Sequence, residues 1–405
     1  MTPMTLSEEL AWRGFVNQTT YKDITVLDGE PINFYLGVDP SADSMQVGNL
    51  AIVMMVKHFI KAGHKAVLLV GGATGLIGDP DGKSEERQLK SLEEIAHNKA
   101  GIAAQYNTIL EGDNFELVDN YDWFKDMGFL EFLRDVGKHV PLRQMIARDF
   151  VQARLGEGGA GISYAEFSYS LIQGYDFVHL HRKHGVSLQV CGADQWGNSI
   201  AGVDLIRRMT GDEAHIWSAP LVISKTTGKK FGKSEDGAVW LDPSKTSPTD
   251  FYQFWVNVDD LGVEDYLKIY TMLSRDEVEK VIAEFNQNKA GRAAQKALAF
   301  EVTKLVHGAA AADDAKSYAE NLKSVAVETE TFKVKRGASI IDVLCDSGLT
   351  SSKSEARQLL ADNGVYINDV QVSKETLEES DFQNSKLGLR KGKKLQNTKI
   401  IELER

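Results

Sequence analysis

Asp39-Pro40-Ser41-Ala42-Asp43-Ser44-Met45-Gln46-Val47-Gly48-Asn49-Leu50 is the stretch on which the fold turns. It follows the strand-like run Ile32-Asn33-Phe34-Tyr35-Leu36. It leads into Leu50–Lys61, where Leu50, Val53, Met54, Val56, Phe59 and Ile60 recur at helical spacing over a broad apolar face. Ser41, Asp43 and Ser44 are residues of the kind that cap helices, and Gly48 lets a ligand lie against the first turn. A helix start offers unpaired N–H groups and the positive end of a dipole, which suits an anion. The alternative is an ordinary strand–turn–helix connection with no ligand.

A second, distant segment also suits phosphate. Lys229-Lys230-Phe231-Gly232-Lys233-Ser234 lies in a Gly- and Thr-rich loop after the apolar run Pro220–Ile223. Lysines on a loop predict a mobile cationic lid that grips polyphosphate while charge builds on it. Read alone, the cluster is equally a solvated basic loop.

Together the two segments resemble the paired signatures of the class I aminoacyl-tRNA synthetases, in which a "HIGH" segment opens the nucleotide fold and a "KMSKS" loop closes over ATP. The loop here reads KFGKS, a form similar to the tyrosyl branch. Gln46 and Asn49 stand where the family has its two histidines. Both amides keep N–H donors for a phosphate, but neither can carry a positive charge. Three further blocks resemble the tyrosyl enzymes: Val70–Pro80, Phe167–Asp176 and Gly192–Asn198. The resemblance covers essentially the whole chain and implies an α/β, Rossmann-type parallel-sheet catalytic domain of bacterial type.

The resemblance also implies a tyrosine pocket and an ATP site. A phenol both donates and accepts hydrogen bonds. By matching motif, Asp176 would accept from it and Tyr35 donate to it. Phenylalanine would leave Asp176 buried and unpaired; rejection of phenylalanine by this family is itself the standard illustration of that effect. The ammonium would meet Asp79, Tyr169 and Gln173, with Gln195 nearby. Gly37, Asp39, Ser41, Gly48, Gly192, Asp194 and Lys233 match positions around ATP and the adenylate. Gln46, Asn49, Lys230, Lys233 and Ser234 would carry the catalytic role. In isolation, Tyr35 could be plain core, Asp176 a helix cap, and Tyr169 with Gln173 one helix face.

Gly78-Asp79-Pro80-Asp81-Gly82-Lys83-Ser84 superficially resembles a phosphate-binding P-loop, but its first glycine falls one residue late and a proline interrupts the amide nest. Lys83 and Arg87 could still help bind pyrophosphate. The nine histidines and two cysteines show no metal-ligand spacing, so no dedicated metal site is expected and Mg²⁺ would arrive with ATP. His179, His181 and His184 are expected in a strand or loop. No apolar run is long enough to span a membrane, no signal peptide is read at Met1–Thr20, and Cys191 and Cys345 are too few for a disulfide framework, which fits the cytoplasm.

A chain of 405 residues has room for two or three domains. The expected division is 1–223 for the catalytic domain, with a dimer-forming insertion around 124–165, and 224–247 for the KFGKS loop and linker. An α-helical anticodon-binding domain would follow at 248–325, with helices over Val263–Leu273, Asp276–Asn286 and Ala293–His307, and with Asp259 as a base contact. Arg207 and Arg208 match positions near the acceptor stem, or are surface charge. Segment 333–405 resembles the S4 RNA-binding module, with Lys353 and Arg357 on one helix face toward phosphates, or simply solvated. The net charge of −12 is awkward for an RNA binder, but 333–405 carries 13 Lys/Arg against 11 Asp/Glu, and Lys386–Lys399 has six basic and no acidic residues.

The resemblance thus implies a homodimer acting on L-tyrosine, ATP and tRNA(Tyr). One alternative is a synthetase-like RNA-binding or splicing factor with weakened catalysis, for which Gln46 speaks. Another is a plain S4-type RNA binder, which would leave Tyr35, Tyr169 and Gln173 unexplained. A tryptophan-specific relative fits less well, because Tyr35 with Asp176 suits a phenol.

Overall fold

The computed structural model describes residues 4–80, 88–234, 237–328, 332–368, 370–382, 386–392 and 398–404. They form two compact units, Met1–Ala312 and Asp313–Arg405. Lys83, Arg87, Lys393 and Lys394 lie outside the described residues, as do the side chains of Lys233 and Ser234.

The first unit is built on one six-stranded sheet. In chain order its strands are β1 (Gln18–Thr19), β2 (Asn33–Val38), β3 (Lys65–Val70), β4 (Phe115–Val118), β5 (Val186–Gly192) and β6 (His215–Ala219). Their spatial order is β1-β6-β5-β2-β3-β4, and all are parallel except the short edge strand β1. A parallel interior strand is covered on both faces and reads as an unbroken apolar run, which is how Ala66–Val70 reads and packs. The chain leaves β2 toward β3 and β4, then returns to the other side of β2 for β5 and β6. The direction of winding therefore reverses between β2 and β5, and in such sheets ligands bind at the carboxyl ends of the strands flanking the reversal.

The helix after β2 runs Val47–Lys61, and every residue of its predicted apolar face is buried. Its N-cap is Gln46 rather than one of the cap-type residues upstream. Those side chains are used elsewhere: Ser44 Oγ donates to Met45 O and accepts from Gln105 Nε2, while Asp43 pairs with Lys245. The three histidines expected in a strand or loop sit instead on the Tyr164–His184 helix. His179 stacks on Trp123, His181 bridges Val186 O and Asp212, and His184 meets Glu116.

Helices Pro248–Val256, Val263–Tyr270, Arg275–Gln287 and Ala293–His307 belong to the same unit as the sheet. One tie is Arg13, almost wholly buried at the end of the Leu6–Arg13 helix. Its guanidinium donates to Lys268 O, Thr271 O and Leu273 O at 2.6–2.8 Å, satisfying carbonyls in the last turn of the Val263–Tyr270 helix and just beyond it.

The second unit carries its own five-stranded sheet, in the order Val370–Val372, Val365–Ile367, Lys386–Lys391, Thr398–Leu403, Phe332–Val334. Its core includes Ile340, Leu344, Ala356, Val365, Leu389 and Ile401. The helix expected to carry Lys353 and Arg357 is Lys353–Ala361, where Ser352 Oγ accepts from Glu355 N–H. The turn before the next strand uses Asn363 at φ 55°, a left-handed conformation that asparagine tolerates.

Candidate functional site

β2, β5 and the Tyr164–His184 helix meet around Tyr35 and Asp176. Tyr35 comes from β2 and is 1% exposed, and its hydroxyl has no hydrogen-bond partner among the described residues. Its ring packs on Phe177 at 5.0 Å. Burial, reinforced by the charge of Asp176, holds the Tyr35 hydroxyl well above the usual phenol range, so it stays a donor.

Asp176 is not a cap but an interior residue of that helix, 2% exposed. Trp123 Nε1 donates to one of its oxygens at 3.0 Å and Asn120 Nδ2 to the other at 3.1 Å. Burial raises its pKa far above the ordinary carboxylate value, and these two donors oppose the shift. Each oxygen accepts one hydrogen bond and keeps a lone pair with which it can accept from a further O–H donor.

Asn120 and Trp123 went unnoticed in the sequence. They follow β4, more than fifty residues before Asp176, with no motif around them. Asn120 also accepts from Ala73 N–H at 2.7 Å and donates to Thr74 Oγ1 at 3.1 Å, while Asp119 Oδ1 accepts from Gly72 N–H at 2.9 Å. This segment therefore fixes the short helix Gly72–Ile77 and the acceptor Asp176 together. Gly71 is required there: a Cβ would collide with Thr74 Oγ1 and approach Asp39 Oδ1 to 2.8 Å.

The residues expected around the ammonium gather at the rim, in a partly different pattern. The buried Tyr169 hydroxyl donates to Asp39 Oδ2 at 2.8 Å, and burial with the nearby Asp39 charge raises its pKa. Asp79 accepts from Gln195 Nε2 at 2.6 Å, and Asn198 Nδ2 donates to Gln195 Oε1 at 3.1 Å. Gln173 sits one turn along from Tyr169 with a buried, unpartnered Oε1. Gln189, a third residue not singled out from the sequence, is the register partner of Tyr35 across β2 and β5, and its buried Oε1 is also unpartnered. Unsatisfied buried polar atoms are costly, and three on one pocket fit a polar ligand that supplies their partners.

The expected nucleotide residues surround the same strand ends. Gly37 lies in β2 with Asp39 just after it, and Ser41 N–H donates back to Asp39 O. Gly192 ends β5, where a Cβ would come within 2.7 Å of Asp194 Oδ1, and Asp194 is exposed. At the start of the Val47–Lys61 helix, Gln46 N–H donates to Asn49 Oδ1 at 2.9 Å. That bond turns the donor end of the exposed Asn49 amide away from the backbone.

The KFGKS segment is a tight hairpin rather than an open loop. Ser224 N–H bonds Lys229 O, Phe231 N–H bonds Val222 O, and Val239 N–H bonds Gly232 O. It lies directly on the other signature: a Cβ on Gly232, at φ +100°, would stand 3.1 Å from Gly48 N. Lys230 is exposed beside this contact, and Lys233–Ser234 continue as a short strand. The structure thus brings lysine-bearing loop and helix N-terminus together.

The remaining predicted residues lie elsewhere. Arg207 and Arg208 are exposed at the end of the Trp196–Met209 helix, paired with Asp204 and with His139 O. Asp259 accepts from Gly262 N–H at 2.7 Å and lies 3.5 Å from the Tyr266 hydroxyl. In the second unit Lys353 and Arg357 are exposed one helical turn apart, and Lys353 pairs with Asp342.

Known proteins resemble this arrangement. A family model for "tRNA synthetases class I (W and Y)" matches residues 27–323, and one for the "Tyrosine--tRNA ligase SYY-like C-terminal domain" matches 320–397. A tyrosine–tRNA ligase of Bacteroides thetaiotaomicron is 42% identical, with 93% of each chain covered. A tyrosine–tRNA ligase 2 of Bacillus cereus is 41% identical over 99% of this chain and 100% of its own. Among solved structures, a C-terminally truncated mitochondrial tyrosyl-tRNA synthetase of Aspergillus nidulans superposes with a TM-score of 0.71 at 30% identity, covering 78% of this chain and 94% of that one.

Proposed function

The chain belongs to the class I tRNA synthetases of the tryptophan and tyrosine branch, and we infer that it ligates tyrosine to tRNA. It activates L-tyrosine with ATP to tyrosyl-adenylate and pyrophosphate, then transfers the tyrosyl group to the 3′-terminal ribose of tRNA(Tyr). The observation that carries tyrosine over tryptophan is the pocket floor, where a buried carboxylate, Asp176, accompanies an unpaired buried hydroxyl, Tyr35. A phenol donates to the first and accepts from the second, whereas an indole N–H has nothing to accept with.

The chemistry needs no protein nucleophile. A tyrosine carboxylate oxygen attacks the α-phosphorus of ATP in line, the bond to the β-phosphate bridge oxygen breaks, and pyrophosphate leaves. In this proposal Gln46 and Asn49 at the helix start, with Lys230, Lys233 and Ser234 on the loop, meet the charge that builds on the phosphates. Magnesium enters with ATP as part of the substrate. Gly37, Asp39, Ser41, Gly48, Gly192 and Asp194 line the nucleotide, and Asp79, Tyr169, Gln173 and Gln195 the amino acid. The pairs Tyr169–Asp39 and Asp79–Gln195 open or share their bonds when the ammonium enters between them.

The assignment of 1–223 to catalysis, 224–247 to the loop and linker, 248–325 to anticodon reading and 333–405 to RNA binding is part of the same proposal, with Arg207, Arg208, Asp259, Lys353 and Arg357 on the tRNA. So are a homodimer, supported by the exposed apolar side chains of Phe129, Leu130 and Leu142, and a cytoplasmic setting, supported by two free thiols. No helix among the described residues is long and apolar enough to cross a membrane. The alternative of a synthetase-like RNA binder without chemistry finds no support in the relatives.

The test is ATP–pyrophosphate exchange with each standard amino acid in the absence of tRNA. Exchange with tyrosine alone is the expected result. Folded protein that binds tRNA but exchanges with no amino acid would sink it.

A further inference from the structure

Phe231 does something its neighbours in the KFGKS loop do not. Its ring leaves the hairpin and enters a socket of four aromatic side chains from two helices. Tyr266 stacks on it with centroids 4.2 Å apart and planes 24° off parallel, and Phe254, Trp255 and Tyr270 stand at 5.4, 5.6 and 5.9 Å. Trp255, Tyr266 and Tyr270 are themselves essentially buried, so the socket is a fixed wall. Lys225, at the tip of the same hairpin, forms an ion pair with Asp265 on the helix that carries Tyr266. Asp259 lies within 3.5 Å of the Tyr266 hydroxyl from the other side.

The next residue is pinned against a different element. A Cβ on Gly232 would stand 3.1 Å from the backbone N of Gly48 and 3.4 Å from Val47 Cβ, leaving no room for a side chain without displacement. Lys230 pairs with Ile223 in an antiparallel bridge and Phe231 N–H bonds Val222 O, and the chain then bends at Phe231 and Gly232. Phe231 is turned into the socket, and the adjacent Lys230 is exposed.

We propose that Phe231 is the positioning residue of the activation step: its ring, held by Phe254, Trp255, Tyr266 and Tyr270, sets the height and register of Lys230 over the N-terminus of the Val47–Lys61 helix. The proposal rests on the activity inferred above. It makes the helical segment 251–270 part of the ATP site without touching ATP. A ring lost from the socket lets the hairpin shift, and a displacement of about 1 Å in a charge-stabilising group can cost about 100-fold in rate. Tyrosine binding is untouched, because no pocket residue contacts the socket rings among the contacts described.

The experiment compares the parent with Phe231→Ala and Phe231→Tyr, measuring kcat for tyrosine-dependent ATP–pyrophosphate exchange, KM for ATP, the tyrosine dissociation constant without ATP by equilibrium dialysis, and Tm. Phe231→Ala is expected to lower kcat by about 30-fold or more with the tyrosine constant within about twofold of the parent, and Phe231→Tyr to recover most of the loss. An alanine variant that keeps the parent's kcat overturns the proposal, as does one that loses tyrosine binding and kcat in equal proportion. If Phe231→Ala does not fold, Lys225→Ala takes its place: a several-fold fall in kcat supports the tether, and no change overturns it. An inactive parent overturns the activity and the positioning role together, whereas an active parent with an indifferent alanine variant overturns the positioning role alone.

Discussion

At the level of single residues, unsatisfied polarity is buried where the proposed tyrosine site lies. The Tyr35 hydroxyl is buried without a partner, so in the absence of ligand it is a burden on folding. Tyr35→Phe removes it without changing the ring that packs on Phe177. The ligand-free variant is expected to match or exceed the parent in stability by up to about 1 kcal/mol, while its KM for tyrosine rises about five- to ten-fold, equivalent to one hydrogen bond of about 1 kcal/mol or slightly more. Thermal melting and exchange kinetics on the same preparations read the two effects. A variant that melts well below the parent would instead mean that the hydroxyl has a structural partner. The sequence made Tyr35 and Asp176 legible because each lies in a motif-bearing strand or helix. Asn120 and Trp123 were not legible, since what makes them functional is only the direction of their N–H groups toward Asp176, and that is settled by the chain path after β4.

At the level of elements, the helix Val47–Lys61 shows which parts of the pattern are robust. Its apolar face was readable, because burial follows the 3.6-residue period directly. Its start was not, because Ser44 and Asp43 had other partners to choose from. The amide pair that opens it does two things at once. Asn49 Oδ1 holds Gln46 N–H, and in the function proposed above the amide donors meet phosphate. Asn49→Ala loses both, so exchange kcat is expected to fall about ten- to a hundred-fold, with KM for tyrosine little changed and stability lowered by no more than about 1 kcal/mol. Near the other end of the helix, His58 is buried beside Glu9 and Arg13, with Lys57 and Lys61 flanking it. Burial first, then those cations, push its pKa down to about 2. A histidine depressed in the folded state takes up its proton only on unfolding. Stability is therefore complete above the unfolded value near 6.5 and is lost as pH falls below it. Between pH 7 and pH 5 the parent should lose about 2 kcal/mol more than His58→Leu, read from urea denaturation at the two pH values. Equal losses would show that His58 finds a way to protonate in place.

At the level of the whole molecule, the surface is unevenly apolar. Of the thirteen large apolar side chains exposed among the described residues, six lie in the short span 129–164: Phe129, Leu130, Leu142, Ile146, Leu155 and Tyr164. Leu130 is 78% exposed and Phe129 64%. Scattered exposed apolar groups are ordinary, but a cluster on one stretch of chain marks a surface that spends its time covered. The span falls where a dimer-forming insertion was expected from the sequence, and a second copy of the chain is the occupant we infer. A two-fold contact presents the same patch from both sides, so one substitution acts twice. Placing charge there with Leu130→Asp and Leu142→Asp sets four carboxylates into the contact. Each buried charge left unpaired costs several kcal/mol, and about 1.4 kcal/mol is a factor of ten in affinity. Sedimentation equilibrium should show the parent at twice 44.8 kDa and the doubly substituted chain at 44.8 kDa over the same concentrations, with its melting temperature in the parent's range. A parent that sediments at 44.8 kDa at every concentration removes the dimer from the picture. The proposed tyrosine pocket would survive that outcome, because Asn120 and Trp123 on Asp176 and Phe177 against Tyr35 belong to the same chain as the residues they hold.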